Sequence, residues 1–264
     1  MGGIDAQEQT LATAVGIDLA WSSRHSSGIA VADVFEDRVS VRGIPPLGNL
    51  TEIEVVIENQ PPPRTIAIDA PTIVPNTSGM RPAERDLQRR FGAVGAGPYP
   101  ANRTLLGRVN GGRPRGEELA ESLRDKLGAL EVGVPPARHG GTYVLEVFPA
   151  PAIVMLFGLS SPLRYKKKPR RTWDTCRSEL RRYIALLRSL RSPRLLFPDW
   201  ISVTDERGTA FKALEDRVDA VLCAYLAGLG WLYGNERLEM VGSLQDGYII
   251  VPRQILATSL QKGR

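Results

Sequence analysis

Asp18 interrupts the apolar run Val15-Gly-Ile-Asp-Leu-Ala20, and Asp69 closes Ile66-Ala-Ile-Asp69 two residues before Pro71. Aspartate is a poor strand residue and costs free energy when buried alone, so each position needs a reason. A turn cap before Pro71 accounts for Asp69, and an arginine partner accounts for Asp18. A late segment adds Glu215, Asp216 and Asp219. Wound as a helix, it gathers Phe211, Leu214, Val218, Val221, Leu222 and Tyr225 on one face, with Glu215 and Asp219 at its edge one turn apart. Like charges so spaced repel by roughly 0.2–0.5 kcal/mol on a helix surface, and by more when partly buried. Lys212 and Arg217 offset part of that, and a divalent cation offsets it better. Clustered acids without histidine or cysteine partners suit Mg2+ or Mn2+ rather than zinc. In two-ion sites, such acids hold the cations that stabilise the attacking and leaving oxygens of a phosphodiester. Asp18, Asp69, Asp216 and Asp219 are therefore the candidate catalytic and metal-holding set, with Glu215 as an alternative to Asp216.

The partner suggested by charge is a polyanion. The 264 residues carry a net charge of +5. The segment from Arg164 to Arg182 holds nine basic residues against Asp174 and Glu179, so it is +7 and the rest of the chain is −2. Arg164, Lys166, Lys167, Lys168, Arg170, Arg171, Arg177 and Arg181 are the candidate contacts to a nucleic-acid backbone, DNA or RNA. A solvated loop and helix face is the plain alternative. Tyr165 and Trp173 lie among them and could stack on bases, although Trp173 suits a core position.

These residues need a scaffold. Val15–Ala20, Gly28–Phe35 and Arg38–Ile44 read as an antiparallel meander, and Thr65–Asp69 and Tyr143–Phe148 as further strands. Helices are expected at Leu50–Asn59, at Pro82–Phe91 with proline at its first position, and along Leu119, Leu123 and Leu127 up to Gly128. A short helix over Ile153–Phe157, a longer one capped by Thr172, and a last one from Ala210 to Leu229 follow. Gly247–Pro252 is expected to close the sheet as an edge strand. The fold class is α/β: a mixed five-stranded sheet flanked by helices. One domain is expected over residues 13–253, with a helical insertion at 72–141 and loose tails at 1–12 and 254–264.

The segments Gly16-Ile-Asp-Leu-Ala-Trp21, Ala67-Ile-Asp-Ala-Pro71, Gly79-Met-Arg-Pro-Ala-Glu-Arg-Asp86, Tyr99-Pro-Ala-Asn102, Leu145-Glu-Val-Phe-Pro149, Arg164-Tyr-Lys166, Glu215-Asp-Arg-Val-Asp-Ala220 and Gly247-Tyr-Ile-Ile-Val-Pro252 span most of the chain. They resemble the RNase H-like superfamily, and within it a domain-of-unknown-function family of predicted RNase H-like nucleases. The resemblance implies an RNase H-like fold, with Asp18 as the metal ligand of the first strand and Asp69 as the acid ending the fourth. It sets Asp216 and Asp219 beside the paired helix acids of Holliday-junction resolvases. Glu146 has no counterpart in the general nuclease pattern; it is either an additional metal ligand or the acid partner of Arg81 or Arg85.

The leading expectation is a metal-dependent nuclease acting through two ions. A non-catalytic nucleic-acid-binding module with the same fold is the second. Gly16-Ile-Asp18, the serine-rich turn and Gly28 also resemble the first phosphate hairpin of actin-like sugar kinases, but the second hairpin and the length of that class are missing. No Ser, His and Asp share a supporting spacing, and Gly92–Gly97 does not follow a strand as a phosphate-binding loop would. His25 and His139 read as loop residues, and Arg81, Arg85 and Arg103 as salt-bridge partners or phosphate contacts. Cys176 and Cys223 write no disulfide or zinc framework. No apolar run approaches the roughly 18 residues of a membrane helix, and Met1–Thr10 does not read as a signal peptide. The expectation is a soluble cytoplasmic protein without a membrane partner.

Overall fold

The computed structural model describes residues 9–22, 24–108 and 111–253. Residues 1–8 of the expected first tail and all of 254–264 lie outside the described residues. The chain opens with β1 (Ala12–Asp18), β2 (Ser27–Val34) and β3 (Arg38–Val41), an antiparallel meander as the alternating pattern implies. A short β4 (Ile44–Leu47) pairs back onto β2, and α1 (Leu50–Glu58) follows, started by an Asn49 capping box. Next, β5 (Arg64–Ile68) lies parallel to β1, and β6 (Thr142–Glu146) lies parallel to β5. Between them come α2 (Pro82–Phe91), α3 (Arg103–Gly107) and α4 (Arg115–Leu127), the last ended by Gly128 in the left-handed conformation.

After β6 the chain forms α5 (Pro149–Phe157), α6 (Trp173–Arg188), β7 (Arg194–Leu196) and the 26-residue α7 (Gly208–Tyr233). Thr172 caps α6 as expected, its hydroxyl accepting from the Thr175 amide at 3.1 Å. A hairpin of β8 (Leu238–Ser243) and β9 (Gly247–Pro252) ends the described chain.

The main sheet runs β6-β5-β1-β2-β3-β7, six strands rather than five, with β4 attached to β2 as a further short strand. The extra edge strand is Arg-Leu-Leu, too short to alternate, and it forms because β3 offers a parallel edge from Arg38 to Ser40. Gly247–Pro252 does not close this sheet. It pairs with β8 and, among the described residues, reaches the main sheet through one bridge, Val147 to Ile250. The hairpin instead packs Val241, Ile249 and Val251 against Ala83 and Leu87 of α2.

Alternation along the strands makes two unlike faces. Val15, Ile17, Ile29, Val31, Ile66 and Ile68 meet Ile53 and Ile57 of α1 and Leu119 and Leu123 of α4. α4 therefore forms part of a layer, although it comes from the segment expected to decorate the sheet. Each wholly buried isoleucine here contributes roughly 1.5–3 kcal/mol. The opposite face is small: Ala12, Ala14, Gly16, Ala30, Ala32 and Ala67. α7 lies across it at close range. A Cβ on Gly16 would stand 2.1 Å from Ala220 O and Ala224 N, and one on Gly28 would stand 2.0 Å from Asp216 O. Glycine at these two positions lets helix backbone meet strand backbone, and that contact sets the depth of the α7 acids.

Candidate active site

Strand direction explains why the acids converge. β1, β5 and β6 are mutually parallel, with Ile17 level with Ile68 and Ile68 level with Glu146. Their carboxyl ends thus share one edge of the sheet, the usual ligand position in open α/β sheets. Asp18 is the last residue of β1, not its middle as the apolar run suggests. Asp69 directly follows β5, its amide donating to Ile17 O at 2.8 Å. Both acids, with Asp216 from α7, line a cleft of about 660 Å3.

The other acids have partners. Asp219 is 0% exposed: Tyr165 donates to its Oδ1 at 2.7 Å, and Lys166 Nζ lies 2.8 Å from its Oδ2 in an ion pair not aligned as a hydrogen bond. Lys212 bridges Glu215, at 2.8 Å, and Asp216. Of the two roles open to Glu146, the structure shows the pair with Arg81, which donates to both carboxylate oxygens; the Thr72 amide adds a third bond at 2.9 Å. Arg81, itself 1% exposed, also binds Glu84 at 2.7 Å through Nε. This buried assembly forms one wall of the cleft.

Asp18, unlike Asp219, forms no ion pair among the described residues. Its Oδ2 is buried and has no hydrogen-bond partner. Burial raises its carboxyl well above the usual range; Lys166 opposes this, and Asp219, Asp69 and Asp216 reinforce it. Burial likewise raises Asp69 to about 7, against the pull of Lys166. Burial alone would lower the Lys166 ammonium, but Asp219, Asp18, Asp69 and Glu215 outweigh it and hold the group firmly protonated.

A hard divalent cation fits this chemistry in part. Among the described residues, no three His, Cys, Asp or Glu side chains converge as ligands of one ion. Mg2+, however, is commonly held by one or two carboxylates with water and phosphate oxygens completing the shell. Asp18 and Asp69 supply such a pair, and one Asp18 oxygen has no hydrogen-bond partner.

The model of a family described as a protein of unknown function (DUF429) matches residues 16–235. The chain belongs to this family. Membership of a domain-of-unknown-function family, expected from the motif segments, is thus shown, and the match contains Asp18, Asp69, Lys166 and Asp219. No curated protein and no solved structure matches.

In this DUF429 member the basic segment divides. Arg164, Lys167, Lys168, Arg170 and Arg181 are exposed. Lys166 turns to the acids, Arg171 donates to the Lys166 carbonyl, and Arg177 is buried and pairs with the exposed Asp174. Tyr165 is buried rather than open to bases, and Trp173 packs edge-on against Phe211 at 5.5 Å. His25 borders the cleft, whereas His139 bonds Tyr143 elsewhere; both cysteines are buried and free. Among the described residues, no helix is long and apolar enough to cross a membrane.

Three cleft features escape the sequence. Lys212 reads there as a partial charge offset, not as a clamp on two acids. Trp21 and Tyr99, 53% and 69% exposed, line the mouth, with Lys168 Nζ 5.9 Å from the Tyr99 ring centre. Their positions inside quoted motif segments are the signal that could have found them.

Proposed function

We propose that the chain is an RNase H-like nuclease that hydrolyses phosphodiester bonds with Mg2+ or Mn2+. The observation carrying this reading is the meeting of Asp18 and Asp69 at the carboxyl ends of adjacent parallel strands in a cleft, with one Asp18 oxygen buried and unpartnered. If β4 and the edge strand β7 are set aside, five strands remain in the sheet. Asp18 then ends the first and Asp69 follows the fourth, where the resemblance puts the metal-holding acids.

Asp18 and Asp69 would hold a divalent cation, which would supply charge stabilisation to the phosphoryl group and acidify a water. Lys166 presents a fixed positive charge to the phosphate, and Asp219 and Tyr165 keep that charge in place. Arg164, Lys167, Lys168, Arg170 and Arg181 retain the backbone without reading sequence. Trp21 and Tyr99 offer stacking faces at the mouth. Hydrolysis joins the water oxygen to phosphorus and releases the ester oxygen as a hydroxyl. Free buried cysteines accord with a reduced, cytoplasmic setting.

The test is incubation of end-labelled single-stranded, duplex, hybrid and four-way-junction substrates with Mg2+, Mn2+ or EDTA. Cutting that requires the metal supports the reading and names the substrate. Tight binding without cutting in any metal contradicts it and favours a nucleic-acid-binding module.

A further inference from the structure

Two-ion phosphodiester chemistry needs three or four acids free to share two cations about 3.5–4 Å apart. The acids here are not free in that number. Asp219 accepts from Tyr165 through one oxygen and is ion-paired with Lys166 through the other. Asp219 is fully buried, so a cation could reach it only by displacing the lysine. Both oxygens of Glu146 are held by Arg81, and Lys212 pairs with one oxygen each of Glu215 and Asp216. Among the described residues no three acids converge on one point, and Asp18 and Asp69 are the cleft acids without an ion pair to a basic side chain.

Lys166 is also a fixed feature rather than a wandering surface side chain. Its neighbour Tyr165 is buried and bonded to the same acid, and Arg171 clasps its carbonyl. The ammonium is anchored on one side by Asp219 and borders the cleft that contains Asp18 and Asp69. It carries one positive charge at a point where a two-ion site would carry two.

We propose that Lys166 takes the place of the second metal ion, so that the cleft holds one divalent cation, on Asp18 and Asp69. This rests on the metal-dependent reading above and deepens it: the site is a one-ion, one-lysine centre. An ammonium is a compact point charge with three donors, suited to a phosphate oxygen, and its charge does not depend on metal supply.

The experiment is titration of the full chain with Mn2+ by calorimetry, with the electron paramagnetic resonance spectrum of the bound ion recorded in parallel. The wild type is expected to bind one Mn2+ with the spectrum of an isolated ion. Lys166→Met is expected to bind two with an exchange-coupled spectrum, and Lys166→Arg to stay at one. Two ions in the wild type overturn the proposal and leave metal-dependent hydrolysis standing, whereas none overturns both. A folded Lys166→Met that still binds one ion also overturns it. If that variant does not fold, the wild-type stoichiometry decides alone.

Discussion

Lys166 reaches Asp219 at 2.8 Å, and the lysine side chain remains 41% exposed while the acid is sealed. Arg81 and Glu146 form the contrasting pair, with both side chains buried. The two pairs respond differently to loss of one partner.

Arg81→Ala leaves Glu146 and Glu84 as buried charges without a counter-ion, at a cost of about 3–5 kcal/mol. Asp219→Ala leaves the Tyr165 hydroxyl unpaired, but Lys166 can turn to water, so about 1–3 kcal/mol is expected. Urea unfolding of both variants measures the order. A larger loss for Asp219→Ala contradicts it.

Gly16→Ala places a methyl group against the backbone of α7 at Ala220 and Ala224. Helix and strand must separate, with an expected cost of about 1–3 kcal/mol or more. Because Gly16 lies two residues before Asp18 on β1, the shift also displaces that carboxylate, and Mn2+ affinity falls as well. A variant with unchanged urea midpoint and unchanged Mn2+ affinity contradicts this.

The metal-free protein loses stability as pH rises. Burial lifts Asp69 to about 7 in the fold, opposed by Lys166 and Lys212 and aided by Asp219 and Glu146. An unfolded aspartate titrates near 3.9, so the folded state binds more protons between the two values. The stability this contributes is present below about pH 4 and is lost as pH rises through 7, by at most about 4 kcal/mol at roughly 1.4 kcal/mol per unit. Asp18 shifts in the same direction. In EDTA the urea midpoint should fall from pH 5 to pH 8, and Asp69→Asn should flatten the slope. At pH 8, Mn2+ at 100 times its Kd should restore about 2.7 kcal/mol. Equal slopes for wild type and variant contradict the assignment.

Asp18 and Asp69 were legible because an acid inside or after a short apolar strand has few cheap explanations. The α7 acids were legible because helical spacing put them beside an apolar face. The direction of Lys166 was not. Leu163-Arg164-Tyr165-Lys166 alternates apolar and basic residues, which places Lys166 outward with Arg164, yet the pull of Asp219 turns it in. Arg177 was hidden for a related reason: on the α6 helix it borders the apolar face, and its stem packs there. β7 has three residues and β8 alternates weakly, so their pairing depends on partners distant in sequence.

Nucleic-acid binding by the exposed basic residues should depend strongly on salt. Replacing Lys167, Lys168 and Arg170 together by alanine should lower the slope of log K against log salt by about 0.9 per lost duplex phosphate contact. Arg177→Ala, at a buried position, should leave the slope unchanged. Fluorescence anisotropy across a salt series measures both, and equal slopes for the triple variant and wild type contradict the interface.

The most direct measurement is cleavage by Asp18→Asn beside wild type, prepared identically, in Mg2+ and in Mn2+. Asparagine keeps the shape and removes the charge that holds the cation. Wild-type cutting that disappears in the variant, with binding in EDTA unchanged, is the expected result. Cutting that survives in Asp18→Asn contradicts the assignment of the site.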